Sequence, residues 1–195
     1  MSHGITLFLS LALLCWSGPP PTPLAPANIT SVGIISSRFE PGTPLIVTGR
    51  VFAPDGVTPA PNVIVYAYQT DAAGQYHNDA KTGTPRLHAW ARTDADGRFE
   101  FRTIHPGSYP AGEGSAHIRF RIYGGGYPLQ WVPDLMFASD PLLRDAQINE
   151  AAAPGRFSNL KATVRDEDGT EACTFNIRAS KSANDSPGER AALRR

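Results

Sequence analysis

Cysteine is scarce in this sequence, which has two, Cys15 and Cys173, among 195 residues. Cys15 falls in an N-terminal segment that we expect to be removed, so Cys173 would remain alone and an internal disulfide is excluded. The fold must therefore be stabilised by its hydrophobic core. A hydrophobic content of 41% is enough for one compact domain of this length.

A net charge is also missing, because 18 Lys and Arg balance 18 Asp and Glu. Without a basic patch the sequence does not predict nucleic-acid binding. The apolar run from Ile5 to Trp16 is shorter than the ~20 residues that span a bilayer. Followed by the small residues of Ala25-Pro26-Ala27, it predicts an exported protein, periplasmic or secreted, in which residues 1–27 are a signal peptide and proline-rich linker.

Glycine and proline are abundant, at 18 residues each. They separate short segments that are rich in β-branched and aromatic residues, a pattern typical of strands joined by turns. We predict an all-β, immunoglobulin- or transthyretin-like β-sandwich over residues 28–180, with one short helix at 140–152, a hairpin turn at Asp94–Gly97 and a disordered tail at 181–195. The predicted strands are at 44–54, 61–70, 88–104, 116–123, 132–138, 160–166 and 172–180.

The segment AHIRFRIY, residues 116–123, shows the clearest strand pattern. Side chains of a strand alternate between its two faces, so Ala116, Ile118, Phe120 and Ile122 are predicted to face the core. His117 and Arg119 then share the opposite face. Such a pair most often lies on an ordinary solvated sheet face, and the pair alone does not indicate a site.

Four stretches, taken in order, give the pair a context: GRVFAPDGVTPAPNVIVYAYQTDAAGQYHND, ARTDADGRFEFRTIHPGSYP, AHIRF and LMFASDPL. Between about Pro44 and Leu142 the chain resembles the intradiol ring-cleavage dioxygenases of the protocatechuate 3,4-dioxygenase group. The resemblance implies a non-haem ferric ion, Fe(3+), held by two tyrosines and two histidines, and cleavage of a small aromatic diol with O2. Tyr76 and Tyr109 match the tyrosine ligands, His117 matches the first histidine, and Tyr109 is the one implied to take up a catechol proton.

Three positions depart from that pattern. Arg119 replaces the second histidine, Gly114 replaces a substrate-side arginine, and Asp134 replaces a glutamine. A guanidinium cannot act as a ligand, because it stays protonated and has no free lone pair. The identity of the fourth ligand therefore stays open.

Two interpretations of the site follow from these departures. In the first, Tyr76, Tyr109 and His117 still bind iron, and Arg119 has a catalytic role in holding an anionic substrate. Water or a stand-in histidine completes the shell, the candidates being His77, His88 and His105. In the second, the site is inactive and Arg119 hydrogen-bonds to the tyrosine hydroxyls.

A second resemblance favours a function without catalysis. VTGRVFAPDGVTPAPNVIVYAY and the following strand also resemble transthyretin-like and carboxypeptidase-regulatory modules, which are exported sandwiches that bind or space other domains. Those modules need neither GQYHND nor AHIRF, and both are present here. We therefore predict an intradiol dioxygenase-like enzyme, with an inactive exported binding module as the alternative.

Overall fold

The computed structural model describes residues 22–112, 114–144, 148 and 155–183. Two β-sheets pack face to face, as predicted for a sandwich. The strands are β1 (Val32–Ile34), β2 (Pro44–Phe52), β3 (Val63–Gln69), β4 (Leu87–Arg92), β5 (Arg98–Ile104), β6 (His117–Gly124), β7 (Tyr127–Phe137), β8 (Leu160–Lys161), β9 (Val164–Arg165), β10 (Glu171–Thr174) and β11 (Ile177–Arg178).

The first sheet has the order β1-β5-β2-β10-β9, and β11 also pairs with β2. Its central pair, β2 and β5, is antiparallel, with Val47 opposite Phe101. The second sheet has the order β4-β3-β6-β7-β8. In it β6 is antiparallel to both β3 and β7, so β6 lies at the centre and carries the AHIRF sequence into the middle of the sheet.

The core lies between the inner faces of the two sheets. Ile118, Phe120 and Ile122 of β6 are fully buried there, which confirms the predicted alternation. Full burial of one such side chain stabilises the fold by about 1.5–3 kcal/mol. Phe120 contacts Phe101 of the opposite sheet, with ring centroids 6.0 Å apart. This packing fixes β6, and His117 and Arg119 are thereby held on its outer face.

Each predicted strand region contains a strand, but two features were missed. β1 is only three residues long, and β7 begins at Tyr127, five residues before its predicted start at position 132. The turn at Asp94–Gly97 is not a hairpin, because β4 pairs with β3 whereas β5 pairs with β1 and β2. Asp94 Oδ1 accepts hydrogen bonds from the backbone N–H groups of Asp96 and Arg98, and this local geometry serves a crossover between sheets as well as a hairpin.

Some predictions fall outside the described residues. The predicted helix at 140–152 is described only at residues 140–144 and 148, the export signal only from residue 22 onward, and the tail only at 181–183. Within the described ranges, no helix has the length and apolar character to cross a membrane.

Candidate metal centre

The candidate centre lies on the outer face of the second sheet, where β6 begins. His117 pairs with Met136 of β7, and Arg119 pairs with Tyr68 of β3. Because β6 is hydrogen-bonded to a strand on each side, the backbone that carries both side chains is rigid. Two loops, one after β3 and one after β5, place tyrosines next to His117 and Arg119.

The loop after β3 carries Tyr76. It begins with a turn in which Asp71 Oδ1 accepts hydrogen bonds from the backbone N–H groups of Ala73 and Gln75, both at 2.9 Å. The Tyr76 carbonyl accepts a backbone hydrogen bond from Arg86 at 3.1 Å, just before β4. The ring of Tyr76 packs beside that of Tyr68, with centroids 6.0 Å apart. These contacts fix the position of the Tyr76 phenol.

The two tyrosine loops touch each other at a glycine. Gly74 has φ +79°, and a Cβ built on it would lie 2.0 Å from the carbonyl oxygen of Ser108 in the other loop. Any other residue would therefore strain the backbone and push the loops apart. Nearby, the Gly107 N–H donates to the Asp71 carbonyl at 2.8 Å, and Thr70 Oγ1 donates to the Gly107 carbonyl at 2.8 Å. The spacing of Tyr76 and Tyr109 is thus built into the backbone.

Asp140 fixes the segment that carries Tyr109. Its Oδ2 accepts hydrogen bonds from Ser108 Oγ at 2.8 Å and from the backbone N–H of Ala116, one on each side of Tyr109. The Tyr109 N–H donates to the Gly114 carbonyl at 2.9 Å. Although burial alone disfavours the charged carboxylate, the hydrogen bonds that it accepts from the Leu142 N–H, the Ala116 N–H and Ser108 lower the pKa of Asp140. An ionised Asp140 therefore holds Tyr109 in place at neutral pH.

Tyr76, Tyr109 and His117 converge at the centre. The two phenol oxygens are 2.9 Å apart, and His117 Nε2 lies 3.4 Å from Tyr76 Oη and 3.3 Å from Tyr109 Oη. His117 Nδ1 is 2.7 Å from the Ser115 carbonyl oxygen. A carbonyl accepts only, so Nδ1 carries the proton and the Nε2 lone pair points at the phenols. This is the tautomer that a metal-binding histidine needs.

Arg119 joins the same group. Its Nε donates to His117 Nε2 at 3.2 Å and lies 3.5 Å from Asp134 Oδ2, and that same carboxylate oxygen is 4.0 Å from His117 Nε2. Sequence reasoning noted Asp134 only as a departure from the family pattern and gave it no role. Its place in the cluster could not be read from the sequence, because it depends on how β7 pairs with β6.

Burial sets the charge states of this cluster. Burial, together with the neighbouring Tyr109, raises the pKa of Tyr76 despite the opposing charge of Arg119, so the phenol keeps its proton when no cation is bound. Burial also disfavours charge on Arg119, but Asp134 and the phenol oxygens outweigh it and raise the pKa of the guanidinium. Burial raises the pKa of Asp134, whereas His117 and Arg119 act in the opposite direction.

The three candidate stand-in histidines are engaged elsewhere. His77 Nε2 is 2.9 Å from Asp71 Oδ2, His88 Nδ1 is 2.5 Å from the Pro85 carbonyl oxygen, and His105 Nδ1 is 2.6 Å from Glu171 Oε2. Their side-chain hydrogen bonds thus do not go to the cluster. The inactive-site interpretation predicted that Arg119 donates to the tyrosine hydroxyls. In the structure, Arg119 Nε donates to His117 instead.

Comparisons with known proteins identify the family of this chain. The family model described as "Dioxygenase" matches residues 17–180, and the chain belongs to the intradiol dioxygenase family. It is 37% identical over 113 residues to the protocatechuate 3,4-dioxygenase beta chain of Burkholderia cepacia, covering 52% of this chain and 48% of that one. The chain therefore spans about half the length of that curated relative.

Solved structures show the same fold. The dioxygenase domain of a dioxygenase and carbohydrate-binding protein fusion from Streptomyces sp. SirexAA-E aligns with TM-score 0.59 and 25% identity, covering 84% of this chain and 96% of that one. Catechol 1,2-dioxygenase from Acinetobacter sp. ADP1 aligns with TM-score 0.62 and 22% identity, covering 86% and 65%. Of the two resemblances seen in the sequence, the family match supports the dioxygenase.

The donor set suits a hard, highly charged cation. Two phenol oxygens and one imidazole nitrogen lie close enough to share one ion, and phenolate is the kind of anionic oxygen that ferric iron prefers. Among the described residues, no group of three or more histidine, cysteine or carboxylate side chains could hold a metal. The centre therefore depends on its tyrosines.

Proposed function

We propose that this protein is a ring-cleaving dioxygenase that acts on a catechol-type aromatic diol with O2, with ferric iron held by Tyr76, Tyr109 and His117. The observation that carries this proposal is the convergence of the three donor atoms within 2.9–3.4 Å of one another. Membership of the intradiol dioxygenase family supports it. Two relatives, a protocatechuate 3,4-dioxygenase and a catechol 1,2-dioxygenase, suggest the substrate class.

Each residue of the centre has a separate task. When bound, the ferric ion supplies Lewis acidity toward the diol oxygens and redox chemistry toward O2. The chain itself orients the donors through Gly74 and Asp140, and the Ser115 carbonyl holds the proton of His117 on Nδ1, which leaves Nε2 unprotonated. Tyr109, on the loop after β5, accepts a catechol proton at Oη. Arg119 lies partly exposed at the rim and stabilises the substrate oxyanion.

The test combines oxygen uptake with identification of the product. Iron-loaded protein should consume O2 in proportion to added catechol or protocatechuate and form a ring-opened acid that has two carboxyl groups more than the substrate. Tyr109→Phe, which removes the proton acceptor but keeps the ring, should lower the rate at least about a hundredfold. Tyr127→Phe is the matched control, since Tyr127 lies at the start of β7 away from the loops, and it should leave the rate unchanged. Iron-loaded protein that releases catechol and protocatechuate intact would contradict the proposal.

One contact favours a second candidate, an inactive protein that binds an aromatic diol without iron. Arg119 Nε donates into the Nε2 lone pair of His117, which is the atom that a metal would need. In that case the phenols and the guanidinium would bind the diol by hydrogen bonds alone. Calorimetry with catechol on iron-free protein separates the two candidates. Binding that iron leaves unchanged, with no O2 uptake, would support the second.

We also propose that the protein is exported. The apolar run from Ile5 to Trp16 and the small residues at 25–27 support this location. Mass spectrometry of the secreted protein should find an N-terminus between Ser17 and Asn28. A cytoplasmic product that retains Met1 would contradict it.

A further inference from the structure

Asp134 is placed at the centre by a β-bulge. On β6, Ile118 and Phe120 are two residues apart, but their partners on β7, Leu135 and Val132, are three apart. The extra residue on β7 lies next to Asp134. Bulges re-aim side chains, and this one directs a carboxylate to the outer face beside Arg119. The backbone there is held as well, since the Asp134 carbonyl accepts a hydrogen bond from Asn159 Nδ2 at 2.8 Å.

The distance between Asp134 and His117 is compatible with binding of both side chains to one ion. Protein oxygen and nitrogen ligands bind first-row metals such as zinc at about 2.0–2.2 Å, so two donors on one ion lie ~3 Å apart at right angles and ~4.2 Å apart when opposite. The tyrosine and histidine donors are 2.9–3.4 Å apart, as expected for neighbouring positions. Asp134 Oδ2 lies 4.0 Å from His117 Nε2, which is within the span that one ion could bridge.

We propose that Asp134 is the fourth protein ligand of the metal, an inference that rests on the proposed ferric centre. Its carboxylate takes the place that the histidine-to-arginine departure leaves empty. Carboxylate oxygen is a hard anionic donor and suits ferric iron as phenolate does. Arg119 moves from His117 Nε2 onto the outer oxygen of the same carboxylate when the ion binds, where it positions Asp134 in addition to stabilising the substrate oxyanion.

The charges of this arrangement balance. Two phenolates and one carboxylate neutralise the three positive charges of the ferric ion, and Arg119 adds one positive charge outside the ligand shell. Without Asp134, the guanidinium would lie beside an ion with one remaining positive charge, and like charges in a poorly solvated site repel. Asp134 therefore both binds the ion and screens it from Arg119.

The test is ferric titration of the whole protein, read by iron stoichiometry and by the tyrosinate-to-iron absorption band. Asp134→Asn keeps the shape but removes the anionic donor, so it should weaken iron binding at least about tenfold. The band should move to longer wavelength, since iron that loses an anionic ligand is easier to reduce. Asp96→Asn makes the same change at an exposed turn, beside Arg98, and should alter neither property.

A second background separates ligation from charge pairing. If Asp134 is a ligand, Asp134→Asn should weaken binding by a similar factor in an Arg119→Gln background, where no guanidinium needs a partner. An effect that vanishes in that background, or a band that does not move, would overturn the inference while leaving the three-ligand centre standing. A parent protein that binds no iron would overturn both the centre and the inference.

Discussion

Two carboxylates in this molecule each lie between a histidine and an arginine, and they differ in how closely they are held. Glu171 Oε2 is 2.6 Å from His105 Nδ1, and Glu171 Oε1 accepts a hydrogen bond from Arg165 at 2.7 Å. Asp134 Oδ2 is 3.5 Å from Arg119 Nε and 4.0 Å from His117 Nε2. The first group is a closed set of short hydrogen bonds, whereas the contacts of Asp134 are longer.

The pKa values of the two carboxyl groups are shifted in opposite directions. Burial alone would raise the pKa of Glu171, but the hydrogen bonds from Arg165 and His105 more than offset it, and the pKa is lowered. At Asp134 burial prevails over the attraction of His117 and Arg119, and the pKa is raised. An ionised Glu171 therefore stabilises the fold, while an ionised Asp134 costs stability until a cation binds. Similar residue types thus serve structure in one place and binding in the other.

Exchange of the two histidines for alanine should separate these roles most strongly. His117→Ala removes a ligand and should weaken ferric binding at least about a hundredfold with little change in stability. His105→Ala leaves Glu171 without one partner and should lower the free energy of unfolding by about 1.5–3 kcal/mol with iron binding unchanged. Iron titration and urea denaturation of both variants check this. Equal effects of the two variants on iron would show that the comparison is wrong.

Glu171→Gln should destabilise the protein by about 2 kcal/mol at neutral pH, because two charge-assisted hydrogen bonds are weakened. A carboxylate with a depressed folded pKa stabilises above its unfolded value of about 4.3 and loses that contribution as pH falls through the folded pKa. The difference between parent and variant should therefore shrink below about pH 4. Urea denaturation at several pH values measures it, and a difference that is constant with pH would rule out this role for Glu171.

Arg119→His should raise ferric affinity by about tenfold, because it removes a positive charge next to the ion and supplies a lone pair on the same face as His117. Arg121→His is the matched control. Arg121 lies two residues after Arg119 on the same face of β6, and its guanidinium stacks 3.8 Å from the Trp131 ring centroid. It should leave iron affinity unchanged. Folded Arg119→His protein that binds iron no better than the parent would place Arg119 outside the centre.

Asp134→Asn should have the smallest effect on the metal-free protein. The folded pKa of Asp134 is raised. Its contribution to the stability of the protein is therefore complete below the unfolded pKa of about 3.9 and is lost as pH rises through the folded pKa. At neutral pH the amide should leave the free energy of unfolding unchanged or raise it by less than ~1 kcal/mol, in contrast to Glu171→Gln. Thermal denaturation of iron-free protein measures this difference. A loss as large as that of Glu171→Gln would make Asp134 a structural residue as well.

Part of this arrangement could be predicted from the sequence. The alternation of residues 116–123 gave the core face and the shared face of His117 and Arg119, because a strand's period of two depends only on local geometry. The motifs around Tyr76 and Tyr109 located two further donors through the family resemblance. The sequence could not predict whether the turn at Asp94–Gly97 joins two strands of one sheet or crosses between the sheets, since its hydrogen bonds are local and fit both topologies.

The contribution of Asp134 was beyond sequence reasoning for a different reason. It depends on one extra residue in β7 opposite β6, and a shift of one position would turn the side chain to the other face. The contact between Gly74 and the Ser108 carbonyl likewise joins two loops that are far apart in the chain. Both features depend on contacts between segments that are distant in the chain, so no local sequence pattern predicts them.

The most direct test of the central claim is a crystal structure of the iron-loaded protein with an anomalous difference map at the iron edge. We expect one peak bonded to Tyr76 Oη, Tyr109 Oη and His117 Nε2, with the Arg119 guanidinium withdrawn from His117. An iron-loaded crystal with no peak among these three residues, and with Arg119 Nε still donating to His117, would contradict the account.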